Sequence, residues 1–243
     1  LVATAHPAAA RTSALATPAA KPAWGRRALV ACLGNNRRSD EGHREKCSQN
    51  SSHKMNLSQP PGPTPEEVSQ HTIRAAQNSD QPAIVQVIST VYAEYGFPWD
   101  EAGYNADLYD LEAHYFSPGH PLWVAEVGGQ VVGTGALELF ETIPGEEPGL
   151  TQIEDLLHIP GADCGLSRVY LLPEFRGRGL GKALTLTAIQ AAQKLGRKRM
   201  EIWSDKRLTT AHALYQRLGA KMYGERLCND PENAPEWGLV LDL

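Results

Sequence analysis

The sequence predicts an α+β fold, a mixed sheet with helices packed on it, and three observations carry that prediction. From residue 71 onward, strand-like and helix-like patterns follow one another in the order β-α-α-β-β-β-α-β-α-β-β. Two alternating runs meet at Gly128-Gly129, a strong hairpin signal. A largely apolar run over 166–172 leads into a glycine-rich turn that opens a helix near Gly179. No internal repeat interrupts this order.

Taken in turn, residues 71–76 form a short strand. The spacing of Ile84, Val87, Ile88, Val91 and Tyr95 predicts a helix over 81–95 with Asp80 as its N-cap. An aromatic loop and a helix near 106–115 follow. Residues 122–127 and 130–140 are the strands of the Gly128-Gly129 hairpin. The stretch 142–163, with several Gly and Pro residues, reads as a long loop with one helical turn at 153–157. After the buried strand, Leu180, Leu184, Ala188, Ala191 and Leu195 predict a helix over 179–195, stopped at Gly196. A strand over 199–203, a helix over 210–218 closed by Gly219, and strands over 221–227 and 237–241 complete the chain.

The first 54 residues read differently. Residues 1–23 are dominated by Ala, Pro, Thr and Ser, and 34–54 are polar without apolar periodicity; neither part buries enough surface to offset the entropy of ordering. The segment carries nine Lys/Arg against three acids, whereas the remainder holds 14 basic and 25 acidic residues, a surplus of -11. Three readings stay open: upstream sequence translated with a gene that starts at Met55, a targeting peptide without an acid before Asp40, or a disordered tail. Residues 55–70 are a Pro-rich lead-in, and 71–243 form the folded domain.

Composition narrows the function. With 42% hydrophobic and 21% charged residues the chain is ordinary for a soluble globular protein, and no apolar run approaches a membrane span. An acidic domain repels a phosphate backbone, which argues against nucleic-acid binding, and mildly attracts a cationic amine. Cys32, Cys47, Cys164 and Cys228 are scattered, with no CxxC pair and no metal-ligand spacing; that suits a reducing compartment and no metal site. A cytoplasmic location follows, with organellar import if the leader is a targeting segment.

The chemistry concentrates at Arg176-Gly177-Arg178-Gly179-Leu180-Gly181-Lys182. Glycines admit positive φ and close approach of the backbone, and the free amides of a helix start attract anions, so this loop is a phosphate cradle. Arg176 and Arg178 add charge for a multiply charged ligand. A P-loop needs Gly at Arg176 and Ser or Thr at Ala183; a dinucleotide fingerprint needs Gly at Lys182. Both fail.

The run from Val169 through Gly181 resembles the acyl-CoA motif Arg/Gln-x-x-Gly-x-Gly/Ala of the GCN5-related N-acetyltransferase (GNAT) superfamily. A second signature, Ala-x-x-Leu-Tyr-x-x-x-Gly, occurs as Ala211 to Gly219 at the family's usual distance. The resemblance covers the chain from Thr72 onward, and it implies a mostly antiparallel sheet with helices on both faces. It further implies an acetyl-CoA-dependent N-acetyltransferase. Amides from Arg176 to Lys182 then bind the pyrophosphate, the strand end at Leu171 and Leu172 pairs with the pantetheine arm, and an amide of Leu171 or Leu172 polarises the thioester carbonyl. Tyr215 becomes the proton donor to the leaving thiolate, a role worth about 10² to 10⁴ in rate; its helical pattern alone favours an ordinary half-buried core aromatic, and the motif reverses that.

The acceptor implied is a primary amine on a small molecule or peptide. Its pocket is expected around residues 95–100, with Tyr92, Tyr104, Tyr109 and Tyr115 nearby and Glu94, Asp100 and Asp107 able to attract an amine. Two departures stand out. Residues 165–172 lack the glutamate some relatives use as base, leaving Glu126 and Glu138 as candidates, and Leu208 replaces a common Asn, with Thr209 or Thr210 as substitutes or helix caps. His114, His120, His158 and His212 form no recognisable cluster. These departures keep a second reading open, a catalytically weak acyl-CoA sensor or interaction module; another acyl donor is a third. A homodimer is common among such proteins, but no residue argues for one.

Overall fold

A computed structural model describes residues 71–243. The leader and the lead-in, residues 1–70, lie outside the described residues, and so do the readings made of them. Nine strands are present among the described residues: β1 (His71–Ala75), β2 (Leu122–Val127), β3 (Gln130–Leu139), β4 (Thr151–Ile153), β5 (Leu156–His158), β6 (Cys164–Leu171), β7 (Arg199–Asp205), β8 (Lys221–Leu227) and β9 (Pro235–Asp242). The α-helices are α1 (Gln81–Tyr95), α2 (Leu180–Lys194) and α3 (Thr209–Arg217).

Seven strands form one sheet in the order β1-β2-β3-β6-β7-β9-β8, while β4 and β5 make a separate hairpin. Every pairing in the large sheet is antiparallel except β6 with β7. The parallel pair is short: only Cys164, Gly165 and Leu166 find partners, in Met200, Glu201 and Ile202. Beyond Leu166 the two strands part, because β6 continues along β3 while β7 stays paired with β9 to Asp205. A β-bulge interrupts β3–β6 pairing between Thr134 and Ala136, and across from it Arg168 takes φ +50°.

Helices cover both faces, as the resemblance implies. α1 buries Ile84, Val87, Ile88 and Val91, and its Tyr92 ring lies 5.9 Å from Tyr170 of β6. α2 lies on the opposite face: a Cβ on Gly133 would meet Leu171 Cδ1 at 2.8 Å and Leu184 Cδ1 at 3.2 Å, so glycine is needed there for close packing of β3, β6 and α2. Since side chains alternate along a strand, Tyr170 and Leu171 necessarily serve different helices.

Several local expectations are corrected. Residues 153–157 form the β4–β5 hairpin instead of a helical turn, with Glu154 at φ +51° in the tight connection; Ile153, Leu156 and Leu157 happen to sit at helical spacing. The helix near 106–115 is two separate turns, a 3₁₀ turn Ala106–Tyr109 and a π turn Glu112–Phe116, divided by Asp110, which leaves the helical region at φ -143° and ψ 76°. The α2 stripe ends on buried Ala192, leaving Ala191 partly buried and Leu195 53% exposed. Asp80 precedes α1 without capping it through its side chain; its carboxylate accepts from the Gln77 amide and from Arg74. Nor do Thr209 or Thr210 cap α3, whose N-cap is the buried Leu208.

Candidate active site

The parting of β6 from β7 creates a cleft at the C-terminal ends of both strands, and antiparallel alternation determines which backbone groups face it. The Leu172 amide donates to Val132 O at 2.9 Å, which makes Leu172 a hydrogen-bonded partner of β3. Neighbours one residue away on a ladder point the other way, so Leu171 turns its amide and carbonyl towards the cleft. Of the two amides considered from sequence, Leu172's is therefore committed to the sheet and Leu171's is directed at the cleft.

The glycine loop begins one 3₁₀ turn (Pro173–Phe175) beyond β6. Gly177 and Gly179 have φ of +75° and +86°, and a Cβ on either would meet nothing within 4 Å. Backbone conformation, not crowding, demands glycine here, and the space beside the loop is open. Gly179 is the N-cap of α2, and its carbonyl accepts the Ala183 amide. Helix geometry leaves the first-turn amides of Leu180, Gly181 and Lys182 without intrahelical acceptors, at the positive end of a 15-residue helix. That arrangement fits a pyrophosphate.

The cations of the loop separate into two kinds. Arg178 and Lys182 are exposed, with the Arg178 guanidinium 5.8 Å from the Phe175 ring. Arg176 instead turns toward α1: its two terminal nitrogens donate to Glu94 Oε1 and Oε2 at 2.6 Å each, and its Nε donates to Leu171 O at 3.0 Å. The side chain thus braces the strand end against α1 while its backbone remains in the loop. It also takes up Glu94, one of the carboxylates expected to attract an amine.

On the α1 face, a buried polar cluster closes the floor beside the cleft. Arg168 is 0% exposed and donates to Asp107 (Nε 3.2 Å, Nη2 2.7 Å), Asn105 Oδ1 (3.0 Å) and Tyr104 O (3.0 Å). Tyr115 donates its hydroxyl to Asp107, and the Tyr104 ring lies 5.3 Å from the Arg168 guanidinium. The Cys228 thiol lies 3.5 Å from the Tyr104 hydroxyl. Burial pushes the Tyr104 and Tyr170 phenols up, and burial with Glu236 nearby pushes the Cys228 thiol up to about 12. The remaining aromatics of this loop pack on one another, Tyr92 edge-on to Phe97 and Trp99 at 5.4 and 5.2 Å. Trp99 Nε1 donates to the Tyr109 hydroxyl, and Asp100 holds the amides of Gly103 and Tyr104.

Tyr215 is buried on α3. Glu126 accepts from Arg74 Nε at 2.9 Å, and Glu138 lies opposite Gly165, at the end of β6 remote from the cleft. His158 Nδ1 and Glu201 Oε1 are 2.7 Å apart, and His212 Nε2 lies 3.0 Å from Ser204 Oγ. The His120 Nδ1 accepts the Leu139 amide. Cys164 is buried, and burial raises its thiol. Among the described residues there is no cluster of His, Cys, Asp and Glu able to hold a metal, and no helix long and apolar enough to cross a membrane.

Residues 85–220 match the Acetyltransferase (GNAT) family. The uncharacterized N-acetyltransferase YjgM of Escherichia coli (strain K12) is 38% identical over 142 residues, covering 58% of this chain and 75% of that protein. Mycothiol acetyltransferase of Pseudarthrobacter chlorophenolicus is 30% identical over 161 residues, 66% of this chain but 44% of its own length. Among solved structures, yncA of Salmonella typhimurium, determined with its cofactor acetyl-CoA, superposes with a TM-score of 0.52 at 21% identity, covering 72% of this chain and 94% of that one. An acetyltransferase of Streptococcus agalactiae gives 0.57 at 18% identity, covering 71% and 98%. Likeness at these identities speaks for the fold.

Proposed function

Because the chain belongs to the acetyltransferase (GNAT) family, we propose that it transfers the acetyl group of acetyl-CoA to a primary amine of a small molecule or peptide by direct attack on the thioester. The observation that carries this reading is the coincidence, at one end of the sheet, of the β6–β7 cleft and the open N-terminus of α2. The cosubstrate supplies an activated acyl carbon and a thiolate leaving group.

In this reading the first-turn amides of α2, with Arg178 and Lys182, hold the pyrophosphate. Leu171 offers its amide along the cleft, where it donates to the thioester oxygen. A donor aimed at a developing oxyanion contributes about 3 to 4 kcal/mol to barrier lowering. Arg176, anchored on Glu94, keeps the Leu171 carbonyl and hence the strand edge in place. Tyr215 delivers the proton to the departing sulfur. The Tyr104–Asp107 segment, fastened by Arg168, forms part of the acceptor wall.

CoA release across a panel of amines tests the reading, with Tyr215→Phe beside the wild type. Acceptor-dependent release by the wild type, reduced about 10²-fold or more in Tyr215→Phe with acetyl-CoA affinity unchanged, is expected. Binding of acetyl-CoA without release for any amine speaks for the sensor instead, and equal turnover in mutant and wild type returns Tyr215 to the core.

A further inference from the structure

We infer that Glu236 is the general base of the transfer, its Oε1 taking the proton from the acceptor ammonium on the face of the sheet opposite α3. The inference rests on the acetyltransfer reading above and supplies the residue missing from β6.

Register brings Glu236 to the site. It pairs with Asp205, the last residue of β7, and so lies one strand beyond the cleft at the end where β6 and β7 have parted. His212 of α3 reaches Ser204, so α3 covers the face of Ser204; alternation turns Asp205, and with it Glu236, to the other face. Tyr215, on α3, and Glu236 thus approach the sheet from opposite sides. A proton can be removed from the nucleophile on one side and delivered to the leaving group on the other.

Glu236 is 0% exposed, and its two oxygens differ. Oε2 accepts from Arg226 Nε at 2.8 Å, the Arg226 guanidinium lying 4.2 Å from the Trp203 ring, whereas Oε1 has no hydrogen-bond partner among the described residues. A buried carboxylate oxygen without a donor is costly and marks a place where a donor is expected. An ammonium N–H, directly or through one water, is such a donor. Other buried carboxylates of this region are engaged: Asp107 by Arg168 and Tyr115, Asp205 by Arg207, Glu201 by His158 and the Ile159 amide, and Asp230 by the Ala234 amide.

The groups that face Glu236 are Arg226 of β8, Asp205 of β7, Cys228 and Asp230 of the β8–β9 connection, and Tyr104. Burial pushes its carboxyl up to about 7 against the opposing pull of Arg226, and Asp230 and Asp205 add to the rise. A base that titrates near working pH is the most effective kind. In the step, the ammonium gives one proton to Oε1, the neutral amine forms the C–N bond, and the C–S bond breaks. The second nitrogen proton goes to solvent as the amide forms, Tyr215 protonates the thiolate and regains a proton from solvent, and Glu236 releases its proton to solvent.

The test measures CoA release by full-length wild type, Glu236→Gln and Glu236→Asp between about pH 6 and pH 9, with n-butylamine, L-lysine and glycinamide as acceptors, and hydroxylamine as a nucleophile already uncharged at neutral pH. Glu236→Gln is expected to lose 10²-fold or more, on the order seen for general bases, with the protonated amines. It should also lose the acid limb near pH 7, bind acetyl-CoA normally and stay within a few-fold of wild type on hydroxylamine. Glu236→Asp, which keeps the carboxylate, should retain part of the rate and the acid limb. An equal loss on hydroxylamine, or wild-type rates on the amines, overturns the assignment. If Glu236→Gln does not fold, a wild-type profile lacking the acid limb does so. Absence of release by wild type with all four nucleophiles instead refutes the acetyltransfer reading itself.

Discussion

Replacing Arg168 by Met removes the cation around which the buried polar cluster on the α1 face is built. The side chain is 0% exposed and supplies four hydrogen bonds, two to Asp107 and one each to Asn105 Oδ1 and Tyr104 O. Its loss leaves the Asp107 carboxylate buried without its cation, though still accepting from Tyr115, and strips the Arg168 donors from a side-chain amide oxygen and a backbone carbonyl. Breaking a buried ion pair by removing one partner costs about 3 to 5 kcal/mol. For a domain of this size each kcal/mol moves the midpoint by about 2 to 4 °C, so a fall of roughly 6 to 20 °C is expected. Asp107→Leu alone should cost a similar amount, because it strands the guanidinium. The double variant, Arg168→Met with Asp107→Leu, should lose less than the sum of the two, since no uncompensated charge remains. Urea and thermal unfolding followed by circular dichroism measure all three. A single variant that loses less than about 1 kcal/mol, within the range of ordinary substitutions, or strict additivity in the double, would refute the reasoning.

Two further outcomes follow from burial. Burial pushes the Glu236 carboxyl up from its ordinary 4.5 to about 7, so the native state binds more protons than the unfolded chain between those values. Its stabilising contribution is complete below about pH 4.5 and is lost as pH rises through 7, a change of about 3 kcal/mol. Unfolding curves across that window should show the slope for wild type and its loss in Glu236→Gln; identical slopes would contradict it. The Cys228 thiol, pushed up to about 12 and buried, should resist iodoacetamide at neutral pH in the native protein and react on unfolding. Peptide mapping by mass spectrometry reads this directly, and rapid native labelling of Cys228 would count against the packing around Tyr104.

Much of this fold is legible locally. The α1 stripe, the Gly128-Gly129 hairpin, β8 and the glycine turn that opens α2 each declare themselves within a few residues, because helix period, strand alternation and positive φ are local demands. What escapes is decided at a distance. The apolar residues of 153–157 fit a helical turn or a hairpin equally, and a two-residue connection chose the hairpin. The continuous helix expected over 106–115 gave way where Arg168 of β6 draws in Tyr104, Asn105 and Asp107. Whether Leu171 or Leu172 faces the cleft depends on ladder parity, visible only once β3 is paired. Arg176 carries the motif yet spends its side chain on Glu94, 82 residues away. Glu236 gave no signal at all, since its significance lies in being paired with Asp205 across the last two central strands.

The central claim is that the loop from Arg176 to Lys182 and the first turn of α2 hold acetyl-CoA. Thermal unfolding of the full-length protein with and without acetyl-CoA, for wild type and Gly179→Glu, tests it most directly. At about 100 times its dissociation constant the ligand adds roughly 2.7 kcal/mol, which raises the wild-type midpoint by several degrees. Gly179→Glu places a left-handed, negatively charged residue in the cradle and should show no rise. An unchanged wild-type midpoint, or an equal rise in the variant, would contradict the account.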